Sequence, residues 1–411
     1  MRDHVRRSTL RIVASGAIGL ASLVLGESTG AAQGAPPAQA PPEVTQAIEF
    51  ARASKASGRP ADGVDAIAVV LKKYPANPDA AGFQIETLVE LNRYDEALKT
   101  YDAYAVAVKK PDPATLAKLG RADLQRTLRL TTVPPIVRAQ ALERLARHGD
   151  ADALAALRQQ AGSTTAVSPE SLAPVIALAR VKDPAGEARL GEILRSGAPL
   201  ERAQAIQAIG QGDVRALAPR VMPLLSDPDV NVRNAAATTL GLLQARAAVA
   251  PLRNAFENDD AGAVKMFAAV ALKQLGDASA DAFLEGLLKG QIAELQVIAA
   301  GAWQFSKSQS PTWDKAVRTL LGSQNELHRL RAAELLAGVD PAAARNVLTS
   351  ALASPNPLLR AGAAKAFEAR PELGDVALAR RLVGDGTVGV RIHGAGLALA
   401  LATRKPAVAG R

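Results

Sequence analysis

The sequence contains no cysteine. That excludes disulfides, thiolate metal sites, covalent haem attachment and a lipidated-cysteine anchor. Aromatic residues make up only 3% of the 411 residues, so large rings cannot fill a deep core. Catalytic signatures are missing as well: there is no GxSxG, no P-loop, no dinucleotide fingerprint and no HExxH. The glycine-rich "GDGTVG" (384–389) has no following Lys-Ser/Thr and reads as a turn. The four histidines, His4, His148, His328 and His393, are scattered and expected at surfaces or helix ends. No cofactor or metal is expected. No segment shows the strict alternation of a strand.

The chain is rich in short apolar residues. Hydrophobic residues reach 48%, mostly Ala, Leu and Val, which suits thin layers of closely packed helices. The net charge of +9 is spread out rather than gathered in a tail.

Residues 1–34 have the layout of an export signal. "MRDHVRRSTLR" is cationic, "IVASGAIGLASLVLG" is apolar, and "STGAAQGA" offers small residues for cleavage near Ala32. The apolar run is short for a membrane span. The expected location is outside the cytoplasm, in the periplasm. "RRSTLR" is similar to a twin-arginine signal, without its usual phenylalanine. The alternative is an uncleaved N-terminal anchor. "GAPPAQAPPE" then forms a Pro/Ala linker over 35–42.

Two internal periods follow. "GRPADGVDAI" (58–67) aligns with "NRYDEALKTY" (92–101) at an offset of 34. With the Pro-containing turn "KKYPANPD" (72–79), residues 43–128 resemble tetratricopeptide repeats. Tyr94, Tyr101 and Tyr104 lie close together there, and the resemblance implies either a short peptide groove or a cap for what comes next.

From about residue 133 the period falls to roughly 30. "VRAQALERLA" (from 137), "ERAQAIQAIG" (from 201), "VRNAAATTLG" (from 232), "LRAAELLAG" (from 330), "LRAGAAKAF" (from 359) and "VRIHGAGLAL" (from 390) repeat one helical pattern. "VKMFAAVALKQLG" and "LQVIAAGAWQF" keep its apolar spacing without the arginine. The recurring D-P-D-x-x-V-R-x-x-A-A-x-x-L-G core resembles HEAT-like repeats of the bacterial phycobilisome-lyase type, over 133–403, with residues 404–411 left as a tail. The expected fold is all-α: an α-solenoid of stacked helix pairs, tetratricopeptide-like repeats followed by HEAT-like ones, with one concave surface. Some HEAT-like enzymes bind di-iron through His-Glu pairs, but this chain has no His-Glu dipeptide.

Two sets of arginines stand out. Arg138, Arg202, Arg233, Arg331, Arg360 and Arg391 recur at the start of first helices. A residue that reads one ligand does not need six copies in register, so these are expected to be structural, reaching acids or carbonyls of the preceding turn. The resemblance puts second helices on the concave face. Arg215, Arg220, Arg246, Arg253, Arg318 and Arg345 would then form a mildly basic binding surface. Trp303 and Trp313, near Phe305, are a candidate anchor or, more commonly, packing for a degenerate repeat.

The expected function is a non-catalytic, exported scaffold that binds a protein or peptide of acidic character. A polyanion binder is one rival, although nucleic acid is a poor match without an aromatic stacking series. A lyase- or chaperone-like protein is another, and it would need a close group of perturbed acids and histidines.

Overall fold

The computed structural model describes residues 40–109, 112–163, 168–305 and 309–404. The export signal, most of the linker and the tail from 405 lie outside the described residues. All regular elements among the described residues are helices. The sequence places the linker up to 42, but Pro42 already opens a helix, as a proline at the first helical position does readily.

Five helices come first: α1 (Pro42–Ala56), α2 (Pro60–Lys73), α3 (Pro78–Glu90), α4 (Tyr94–Val108) and α5 (Pro113–Arg129). Pairs follow: α6 (Pro135–Arg147) with α7 (Ala151–Gly162), α8 (Pro169–Arg180) with α9 (Pro184–Ser196), and α10 (Pro199–Gln211) with the short α11 (Ala218–Val221). Next come α12 (Val230–Leu242) with α13 (Val249–Asn258), α14 (Gly262–Gln274) with α15 (Asp281–Lys289), and α16 (Ala293–Ala300) with α17 (Pro311–Leu321). The last are α18 (Glu326–Leu336) with α19 (Pro341–Ala351), α20 (Pro357–Ala369) with α21 (Val376–Val383), and α22 (Val388–Thr403).

Local chemistry explains the helix starts. Asn77, Asp112, Asp150, Asp183, Asp229, Asn325, Asp340, Asn356 and Asp375 each cap a helix with a side-chain oxygen that accepts backbone N–H groups. Several of these helices place proline next, where the missing N–H costs nothing.

First helices pack against one another in sequence: α6 on α8, α8 on α10, α10 on α12, α12 on α14, α14 on the turn Gly301–Trp303 that ends α16, α16 on α18, α18 on α20 and α20 on α22. Second helices pack mostly on first helices, as α13 does on α14 and α21 on α22, and touch one another much less than first helices do, so they are spread more widely and form the outer layer of the curve. Alanine makes the inner layer thin: Ala236, Ala237, Ala268, Ala269 and Ala271 are all fully buried. At Gly241 a Cβ would stand 2.8 Å from the Cα of Ala271, so α12 and α14 can approach this closely only without a side chain there.

The array does not stay open. Helix α22 lies along α5 and also touches α6, while α21 reaches α5. Gly120 of α5 faces Ala395 of α22 so closely that a Cβ would lie 3.0 Å from its Cα. The last helix therefore closes the array on the helix that precedes the first pair. Arg391 of α22 pairs with Asp123 of α5 at 3.3 Å, and Asp123 also pairs with Arg126 at 2.8 Å. Arg126 lies over the Tyr94 ring, 4.5 Å from its centroid. The Tyr94 hydroxyl donates to the Val383 carbonyl at 2.7 Å, and Arg380 of α21 pairs with Asp102 of α4 at 2.8 Å. The tyrosine helix thus takes part in the closure.

Candidate partner-binding surfaces

The recurring arginines form joints. Five of the six stand fourth after their helix N-cap. Arg233 donates to the carbonyls of Asp227 at 2.9 Å and Pro228 at 3.3 Å. It also forks onto Asp259, at 2.8 and 3.1 Å, in the loop that starts the next pair. Arg202 bonds the Gly197 carbonyl at 2.8 Å and Asp227 at 2.9 Å. Arg360 bonds the Ser354 and Pro355 carbonyls at 2.9 and 3.1 Å and Thr387 Oγ1 at 2.7 Å. Arg391 bonds the carbonyls of Asp385 and Gly386 at 3.0 and 3.2 Å. Arg138 reaches back further, to the carbonyls of Leu128 and Leu130.

Arg331 departs from this set. It pairs only with Glu334 on its own helix, and its side chain is 56% exposed. The fourth residue of α18 is Arg329, which donates to the Ser323 and Gln324 carbonyls at 2.7 and 3.1 Å. A slip of two residues turns a helical side chain through more than half a turn, so Arg331 faces away from the joint. The two repeats without arginine keep the joint by other means. Lys265 donates to the Glu257 carbonyl at 2.9 Å and Gln296 to the Gly290 carbonyl at 2.8 Å.

The six arginines expected on the concave face are exposed and sit on the outer layer. Four are held by acids: Arg215 by Asp213 at 2.9 Å, Arg253 by Asp277, Arg318 by Asp314 and Asp340 at 3.0 and 3.2 Å, and Arg345 by Asp375 at 2.7 Å. The hydrogen bonds from Arg253 hold the Asp277 carboxyl down to about 2. Arg220 lies over Gly191, and Arg246 is exposed. The cavities inside the curve are lined by first helices, because it is those that pack at close spacing.

One inner cavity, of about 550 Å³, brings together α6, α8, α10, α20 and α22. Its charged lining is Arg144, Arg147, Arg180 and Lys365 against Glu143 and Glu368, with His393 beside them. Glutamines 140, 204, 207 and 211 add polar groups, and the Gln204 amide oxygen is buried without a partner. A second cavity, of about 540 Å³, runs along α16, α18 and α20, and Lys365 and Ala369 line both. Arg331 and Arg370 line this second one, with Glu334. A wider groove of about 760 Å³ opens on the outer side at the Arg233 joint, between acids Asp227, Asp259 and Asp260.

His393 corrects the expectation of surface histidines, since it is only 8% exposed. Its Nδ1 lies 2.6 Å from Glu368 and 2.8 Å from Arg144, which itself pairs with Glu368 at 2.5 Å. Burial pushes the imidazole below its ordinary range, against the opposing pull of Glu368. Burial would raise Glu368, but Arg144 and His393 together hold it at about 2. His148 ends α6 and His328 approaches Glu294 at 3.4 Å. Among the described residues no group of three or more His, Asp or Glu is placed to hold a metal ion. No described helix is long and apolar enough to cross a membrane.

Trp303 and Trp313 are buried at 3% and 1% exposure. The Trp313 indole donates to the Ala300 carbonyl at 2.9 Å, and Lys273 lies over the Trp303 ring. Both fill the shortened repeat, where α16 breaks off into a 3-10 turn at Gly301–Trp303. Tyr101 and Tyr104 are also buried, with Tyr104 donating to Asp112 at 2.9 Å.

The fold defines an all-α helical-repeat protein. HEAT repeats match the chain over 187–273 and 218–300. No curated protein shows significant similarity to it. Among solved structures, human deoxyhypusine hydroxylase in complex with glycerol is similar at 17% identity and a TM-score of 0.31, covering 63% of this chain and 98% of that one.

Proposed function

We propose that this protein is a non-catalytic scaffold, exported to the periplasm, that holds an acidic partner protein against the inner face of its curved array. The first five helices are read as tetratricopeptide-like and as the cap onto which the array closes. The observation that carries the function is the charge of the inner cavities, where cations outnumber acids and the walls come from both ends of the array. A preformed surface of this kind loses little entropy on binding, and its cations steer acidic partners.

The Glu368–His393 pair favours an enzyme-like reading enough to be weighed. A carboxylate held at about 2 by Arg144 is a poor base at neutral pH, and its neighbours already use its oxygens. The cluster is therefore read as part of the closure.

Photo-crosslinking tests the proposal. p-Benzoylphenylalanine placed at Gln207 or Lys365 should capture a defined partner from envelope extract, while the same group at Arg253 should not. Adducts formed only from Arg253 would move the binding surface to the outer layer and sink the proposal.

A further inference from the structure

Lys365 occupies an unusual place. It is exposed, it lies in the wall shared by both inner cavities, and among the described residues no acid stands within ion-pair distance of it. Other cations lining these cavities are engaged: Arg144 with Glu368, Arg147 and Arg180 with Glu143, Arg331 with Glu334, and Arg370 with Glu372. An anion entering the groove thus finds one uncommitted charge, at its middle.

On either side of Lys365 the walls are apolar. Ile136, Leu172 and Ile176 line the first cavity, and Val297, Leu335 and Val339 line the second. Each cavity falls within the roughly 300–1,000 Å³ typical of ligand pockets. The first also presents the unpartnered Gln204 oxygen and the exposed Gln207 amide. These can accept from and donate to a peptide backbone, which carries both kinds of group in alternation.

We infer that the inner groove takes an extended peptide segment with one acidic side chain seated on Lys365 and an apolar side chain in each flanking cavity. This deepens the proposed function and rests on it. Polyphosphate backbones fit less well. They offer repeated charge where the groove holds one free cation, and they leave the apolar walls uncovered.

The test is fluorescence anisotropy on the full mature chain with labelled nonapeptides. Leu is placed at positions 3 and 7, with Glu, Gln or Lys at position 5 and Ala or Ser elsewhere. The Glu peptide should bind about fivefold more tightly than the Gln peptide, the range of one partly exposed charge pair. Lys365→Glu should reverse the order in favour of the Lys peptide, while the outer-layer control Arg253→Glu should leave it unchanged. Because Lys365 is exposed, the circular dichroism of its variant should match the parent. Equal binding of the Glu and Gln peptides, binding of none, or tighter binding of a nine-nucleotide DNA strand overturns the inference. If crosslinking still places a partner on the inner face in that case, the scaffold function stands and only the peptide chemistry fails.

Discussion

Replacing Arg233 with alanine tests the idea that repeated arginines set the angle between units. The wild-type side chain is 13% exposed and its partner Asp259 only 8%, so both charges are largely withdrawn from water. The substitution removes a two-pronged contact to Asp259 and two bonds to loop carbonyls. Breaking a buried pair by removing one partner costs about 3–5 kcal/mol. Asp259 keeps the Ala261 N–H at 2.9 Å and so is not left wholly unpaired, which brings the cost to the lower end of that range or just under it, about 2–3 kcal/mol. Urea unfolding followed by circular dichroism gives this loss, and a double-mutant cycle with Asp259→Asn isolates the pair. Arg233→Lys should recover less than half, because a point charge cannot reproduce the fork. Burial would raise Asp259, but Arg233 and the Ala261 N–H hold it below its ordinary value. A lowered carboxyl contributes stability above the unfolded-state value of about 3.9 and loses it as the pH falls. The gap between wild type and Arg233→Ala should therefore narrow in acid. A cost below about 0.5 kcal/mol, the range of ordinary surface changes, with no coupling to Asp259, would refute the joint.

Two further outcomes are expected. Arg329→Ala should destabilise by about 1–2 kcal/mol through the loss of two carbonyl contacts, whereas Arg331→Ala should stay within about 0.5 kcal/mol by the same urea assay. The closure should weaken in mild acid: burial lowers His393 from its ordinary value, so below about pH 6.5 the unfolded chain takes up a proton that the folded one resists. Thermal unfolding should show this fall between pH 7.5 and 5.5, and His393→Gln should reduce it, leaving the share from His148, which burial also lowers; a further loss, from Glu368, belongs below about pH 4.

Much of the fold was legible because HEAT-like units are local. Caps, prolines and the apolar period recur within each stretch of about 30 residues, and each element forms where its own residues direct it. The joint was legible too, except at Arg331. The clue lay in the spacing: Arg331 to Arg360 is a step of 29, while Arg329 to Arg360 gives the 31 that separates Arg202 from Arg233 and Arg360 from Arg391. Closure was not legible. Arg391 and Asp123 are 268 residues apart, and Tyr94 and Val383 are 289 apart, so no local pattern announces that they meet. The burial of His393 depends on the same event, as does the joining of α6 and α20 in one cavity. The side of the layer that faces inward is likewise set by the packing distances between helices, which the apolar period does not encode.

Closure also imposes a timetable on the chain's own synthesis. Helix α5 buries Leu116, Leu119 and Leu124, but α22, which lies along it, is made last. At about 5–20 residues per second, the 268 residues between Asp123 and Arg391 take on the order of ten to fifty seconds to appear. During that interval α5 has no α22 to cover it. A chain cut short before residue 388 would lose the helix on which α20 and α21 pack and would leave its first seam permanently open, offering a ready-made docking strip to any apolar helix nearby.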